Sequence, residues 1–128
     1  MSGRPRMLTA DTTLWLDLRS VMGRAELASG YSELDAFSQD LLEWIARRVQ
    51  LEEGLYVSEI IKHSQIASPA TLFKLLTRLK ELGLISITED SHDRRCRRVE
   101  ITEASQLLFD RLSDLLRGKL ALIVGSAK

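Results

Sequence analysis

One cysteine, two histidines and two prolines stand in a chain of 128 residues. A lone thiol, Cys96, excludes an intramolecular disulfide and any cysteine-rich zinc site, since each needs a second sulfur. His63 and His92 are not in a metal-ligand spacing, so no metal or other cofactor is expected. No run approaches the roughly 18 apolar residues of a membrane span, and MSGRPRMLTA lacks the apolar centre of a secretion signal. A reducing cytoplasm is the expected compartment. With Pro5 and Pro69 as the only prolines and no repeat or low-complexity tract, segments must be separated by periodicity and glycine. Chemistry is thinly supplied as well. There is no nucleotide-binding glycine loop and no H-E-x-x-H, which argues against an enzyme.

What is present is an ordinary balance for one compact domain, 45% hydrophobic and 28% charged, large enough to bury a core without staples. Net charge is zero, but it is unevenly spread. Residues 1–56 carry six basic and nine acidic side chains, net −3, whereas residues 57–102 carry eight and six, net +2. Four of those eight cations fall between Arg94 and Arg98, a concentration that a solvated surface does not require.

Five amphipathic segments emerge. From Thr13 to about Ala28, Leu14, Leu18, Val21, Met22 and Ala25 share a helical face that Gly30 ends. From Glu33 to Gln50, Leu34, Phe37, Leu41, Trp44, Ile45 and Val49 form the next stripe, with Ser32 as its N-cap. Leu55-Tyr56-Val57 is too short for an independent strand. Ser58 and Glu59 are suited to open a helix through about His63 that buries Ile60 and Ile61. After a tight connection, Ser68-Pro69 is a strong helix start, because serine accepts free N–H groups and proline lacks one. Leu72, Leu75, Leu76, Leu79 and Leu82 fill the apolar side of that helix, and Gly83 stops it.

Leu84 to Thr88 and Arg97 to Thr102 read as two strands of a hairpin around a polar loop, Glu89 to Cys96. Thr102 then caps a last helix with Leu108, Leu112, Leu115, Leu116 and Leu120 inward; Gly118 weakens its final turns. The resulting division is 1–54, helical support and dimerisation; 55–102, a winged helix-turn-helix; 103–128, a dimerising helix. The fold class is mainly α.

A short helix, a tight turn and a longer N-capped helix make a helix-turn-helix, whose second helix enters the DNA major groove in known docking modes. Opposite its leucines lie Ala70, Lys74, Thr77 and Glu81, flanked by Thr71 and Arg78. Ser68 and Thr71 can donate to phosphates or base edges, while Lys74 and Arg78 supply charge. Glu81 would be repelled by phosphate, so the last turn should stand clear of the duplex. Arg94 and Arg95 on the hairpin loop suit a narrow minor groove, and Asp93 is expected to orient them through a bidentate pair.

The stretch VSEIIKHSQIASPATLFKLLTRLKELGLISITEDSHDRRCRRVEIT resembles the DNA-binding core of the MarR family of bacterial transcriptional regulators, over roughly residues 55–110. The likeness lies in the N-capped helix ending RLKELGLI and in Asp93-x-Arg95 followed by Val99-x-Ile101-Thr102. Ala104-Ser105 stands where the family often has a glycine. By that resemblance Ser68, Pro69, Thr71, Lys74 and Arg78 fall on the recognition helix and Arg94 and Arg95 at the wing tip. It further implies a homodimer joined through N- and C-terminal helices, often with a small-molecule or oxidant signal near the junction.

The expected function is therefore sequence-specific binding of double-stranded DNA to regulate transcription. The alternative is a non-catalytic winged-helix module that binds another protein, marked by an exposed aliphatic patch beside the wing. Cys96 is either a redox-sensitive thiol activated by neighbouring arginines or a small inward-facing strand residue. Trp15 and Trp44 read as core or dimer contacts, and His63 as a backbone or phosphate neighbour.

Overall fold

A computed structural model describes residues 9–51, 54–93 and 95–126. Its elements are α1 (Ala10–Ser29), a 3-10 turn (Tyr31–Glu33), α2 (Ala36–Leu51), α3 (Val57–His63), α4 (Pro69–Glu81), β1 (Ile85–Glu89), β2 (Arg97–Ile101) and α5 (Glu103–Ser126). They fall into two compact units, one of Met1–Ser32 with Arg111–Lys128 and one of Glu33–Asp110. No helix among the described residues is long and apolar enough to cross a membrane.

In the unit Glu33–Asp110, the start of α2 differs from expectation. Ser32 lies in the 3-10 turn, which displaces the cap to Asp35: its carboxylate accepts the Ser38 N–H at 3.2 Å and the Ser38 hydroxyl at 2.6 Å. The buried arc of α2 is also rotated, taking in Ser38, Leu41, Leu42 and Ile45. Phe37, placed inward by the sequence stripe, is 55% exposed, and Trp44 and Val49 are only half-buried. At a step of roughly 100° per residue, an arc centred between Leu41 and Leu42 leaves Phe37 and Trp44 on its rim.

The next helix also begins differently. Tyr56 forms an isolated antiparallel bridge with Arg98, and the Val99 N–H donates to the Leu55 carbonyl at 2.7 Å, so the chain is extended up to that point. Tyr56, not Ser58, is the N-cap residue of α3, and its N–H donates to the Glu59 carboxylate at 3.2 Å. Ile60 is buried as expected, whereas Ile61 is half-buried. Gln65 then turns the chain with φ of 55°.

The start of α4 matches its sequence signal: the Thr71 N–H donates to the Ser68 hydroxyl oxygen at 3.3 Å, and Pro69 opens the helix. Leu72, Leu75, Leu76 and Leu79 are buried. Leu82 is the C-cap residue and is 52% exposed, because the helix stops before it would turn inward. Gly83, at φ of +75°, donates to the Lys80 carbonyl, and Leu84 donates back to Leu79 across the turn. This is a Schellman motif, which needs a residue free to enter the left-handed region.

β1 and β2 pair antiparallel, with Ile85 opposite Ile101 and Ile87 opposite Val99. Ile85 and Val99 are buried with Leu55, so one face of the hairpin closes the core. Thr102 caps α5 by accepting the Ser105 N–H, and its own hydroxyl donates to the Gly83 carbonyl at 2.7 Å. The fully buried Ser105 hydroxyl donates to the Leu84 carbonyl. Two hydroxyls thus fasten the start of α5 to the turn between α4 and β1.

The unit of Met1–Ser32 and Arg111–Lys128 contains α1 and the distal part of α5. α1 starts earlier than expected, because Thr9 and Thr12 form a reciprocal capping box. Val21 and Ala25 are buried, but Leu14 and Met22, assigned to the same inward face, are exposed together with Trp15, Leu16 and Leu27. α5 continues through Gly118 to Ser126, since one glycine costs only about 1 kcal/mol in a long helix. Of its expected inward residues, Leu112, Leu115, Leu116 and Leu120 are half-buried in this unit, as is Leu108 in the other, and Leu122 is exposed. Arg111 donates to the Ala28 carbonyl at 3.3 Å.

Candidate nucleic-acid interface

The leucine stripe of α4 fixes which side chains leave the core. Ser68, Pro69, Ala70, Thr71, Lys74, Thr77, Arg78 and Glu81 are all exposed. Their hydrogen bonds refine what each can offer. Ser68 donates its hydroxyl to Thr71 Oγ1 at 3.0 Å, so the serine is committed to the cap and the Thr71 hydroxyl proton is left for an outward acceptor. Thr77 turns back to the Phe73 carbonyl at 3.0 Å. Arg78 Nε lies 3.7 Å from Asp35 Oδ1. The Ser38 hydroxyl is the main cause that holds the Asp35 carboxyl below its ordinary pKa, with Arg78 contributing less.

The wing is a small closed circuit. The Asp90 N–H donates to the Cys96 carbonyl at 2.8 Å and the Cys96 N–H to the Asp93 carbonyl at 2.9 Å. Asp93 Oδ1 accepts both the Arg95 N–H, at 2.9 Å, and Arg95 Nε, at 3.4 Å. One oxygen therefore serves two donors, in place of the bidentate pair expected from sequence. Arg95 is otherwise open to solvent, its side chain 92% exposed. Arg94 lies outside the described residues.

Tyr56 anchors the root of this loop, its hydroxyl donating to Asp90 Oδ2 at 3.2 Å. That bond raises the tyrosine pKa, while Asp90 is lowered first by the His92 N–H and then by Tyr56. Cys96 is half-buried, and its thiol pKa is pushed up, by desolvation first and then by the negative charge of Asp93. Arg95 acts in the opposite direction and more weakly.

Sequence reasoning missed a cleft of about 440 Å³ between α3, α4 and the wing. Val57, Ile61 and Phe73 line it together with Lys62, Arg95 and Arg97. Lys62 and Arg97 are far apart in the chain, and the Tyr56–Arg98 bridge and the Val99–Leu55 hydrogen bond seat β2 beside the start of α3. No local pattern could have signalled it.

No protein-family model matches the chain, and no curated protein sequence matches it. Solved structures do. The MepR F27L mutant of S. aureus, bound to an oligodeoxyribonucleotide, superposes with a TM-score of 0.70 at 17% identity, over 93% of this chain and 84% of that one. Transcriptional regulator Tm0710 of Thermotoga maritima gives 0.66 at 17% identity, over 92% and 80%. A protein described as a MarR-like transcription regulator from Bacillus cereus gives 0.55 at 14% identity, over 87% and 74%. The chain has the MarR-type winged-helix fold. At such low identity the likeness is one of fold. In this fold the outward face of α4 and the side chain of Arg95 on the wing are exposed.

Proposed function

We propose that the chain binds double-stranded DNA as a homodimer and regulates transcription, with α4 in the major groove and the wing against the backbone or minor groove. The observation that carries this reading is the outward face of α4, small at Ala70 and Thr71 and basic at Lys74 and Arg78, opposite a fully buried leucine stripe. Small residues permit close approach to base edges, and the cations match phosphate or guanine. Ser68, Pro69, Thr71, Lys74, Thr77 and Arg78 form the proposed reading surface, and Arg94 and Arg95 the proposed wing contact, with Asp93 as orienter. The fold shared with a DNA-bound MepR mutant supports the same reading.

Fluorescence titration of labelled duplexes, genomic and random, at about 50 and 200 mM salt tests it directly. Binding should weaken steeply with salt, and replacing Thr71 or Lys74 by alanine should remove roughly 1–3 kcal/mol of discrimination between sequences. Equal weakening on all duplexes would reassign the side chain to phosphate. A second reading, a protein-binding module, draws on the apolar floor of the cleft at Val57, Ile61 and Phe73. Absence of affinity for every duplex at about 50 mM salt would favour it.

The wing makes a separate prediction of sign. Asp93→Ala removes a negative charge, so electrostatics alone would tighten DNA binding. Loss of the acceptor that holds both the Arg95 backbone and Nε should instead weaken it. Arg95→Ala should lower the salt slope by about 1. Tighter binding by the Asp93 variant at physiological salt would remove its orienting role.

A further inference from the structure

An acidic side chain next to a DNA-facing helix is unfavourable for any binding that depends on charge alone. Asp35 is such a group: its carboxylate stands 3.7 Å from Arg78 Nε, and the two side chains are each about half exposed, 55% for Arg78 and 49% for Asp35. It is also fixed in place. Ser38, which holds the carboxylate through both hydroxyl and N–H, is itself completely buried in α2. The carboxylate is therefore anchored to the core, while the arginine it meets extends from the opposite helix.

We propose that Asp35 is a positioning residue that sets sequence specificity: as the fixed ion-pair partner of Arg78 at 3.7 Å, it withholds that guanidinium from indiscriminate phosphate contact and biases it towards one acceptor on the DNA. This rests on the DNA-binding reading above. The carboxylate lies on the Nε side of the guanidinium, so the two terminal nitrogens remain for a second partner. Random DNA offers phosphates at every position but seldom the right base acceptor in the right place, and the neighbouring carboxylate offsets the phosphate attraction. A matched site offers a placed acceptor that the oriented arginine can meet without leaving Asp35.

The test uses the full chain and Asp35→Asn, since the asparagine Oδ1 can still accept the Ser38 N–H as N-cap while its Nδ2 donates to the Ser38 hydroxyl oxygen. Two duplexes serve as probes: the tightest one recovered by genomic selection and a random one. Binding to the random duplex should tighten and its salt slope should steepen by about 1, as Arg78 becomes available to phosphate. The ratio of selected to random affinity should fall about fivefold or more. In an Arg78→Ala background, the same substitution should leave that ratio unchanged.

Parallel weakening on both duplexes at constant ratio would reduce Asp35 to a helix cap and overturn the proposal. So would an equal fall in ratio without Arg78, which would make Asp35 a generic repulsive charge. If the asparagine variant melts below the assay temperature, Asp35→Ser repeats the measurement with another capping residue. A wild type that binds no duplex would bring down the DNA-binding reading itself, whereas a wild type that binds with an unaltered ratio in the variant brings down this inference alone.

Discussion

Leu72→Ala should lower the stability of the Glu33–Asp110 unit by about 2–5 kcal/mol, seen as a fall of roughly 10–30 °C in the thermal midpoint by circular dichroism. Leu72 has no exposed surface and belongs to the buried stripe that holds α4 in place. Truncation leaves a cavity among Leu75, Leu76 and Leu79, whose surroundings relax only in part. In a domain with only about 5 kcal/mol in total, a loss at the upper end of that range populates unfolded chain, and DNA affinity falls with it. The adjacent Thr71→Ala offers the contrast. Its side chain is exposed, and stability should change by no more than about 0.5 kcal/mol. Similar melting of the two variants would mean that the stripe is not what seats the helix.

The other large effect concerns association. The unit formed by α1 and the distal part of α5 exposes the large apolar side chains of Trp15 (68%), Leu16, Leu27 and Leu122. A second copy would cover them, and two winged heads would then read the two halves of a pseudo-palindrome. Sedimentation at micromolar concentration should give a dimer. Trp15→Glu combined with Leu122→Glu should give a folded monomer whose affinity for a selected duplex is lower by about 10³-fold, because one half-site is lost. Point substitutions are cleaner than deleting residues 104–128, which would also remove Ser105 and its bond to Leu84. A well-folded monomer at full length would defeat the dimer.

Much of the winged unit was legible because its punctuation is local. Ser68-Pro69 and Gly83 each act within one turn of their own helix, through hydrogen bonds that span three to five residues. Val99 and Ile101 announced β2 by alternation alone. The cap at Asp35 was missed because it depends on where the preceding chain turns, and the 3-10 turn at Tyr31–Glu33 moves the helix start past Ser32. Leu14 and Met22 keep helical periodicity yet stay exposed, since a stripe records an apolar face without saying what covers it. Candidate-site residues on α4 could be read from the leucines behind them. Asp35 beside Arg78, Tyr56 on Asp90 and Lys62 near Arg97 could not, because those partners are separated by tens of residues and meet only after the core has formed.

The closed circuit of the wing has a consequence for how such a chain can diverge. Asp90 and Cys96 seal the loop at its base, and the strand register below is set by Ile85 against Ile101 and Ile87 against Val99. Ser91 and His92 are exposed and lie beyond that seal, away from the paired residues of the two strands. Drift in this segment leaves the inward face of both strands untouched, so descendants of one scaffold can acquire tips of different length and charge while inheriting the same core.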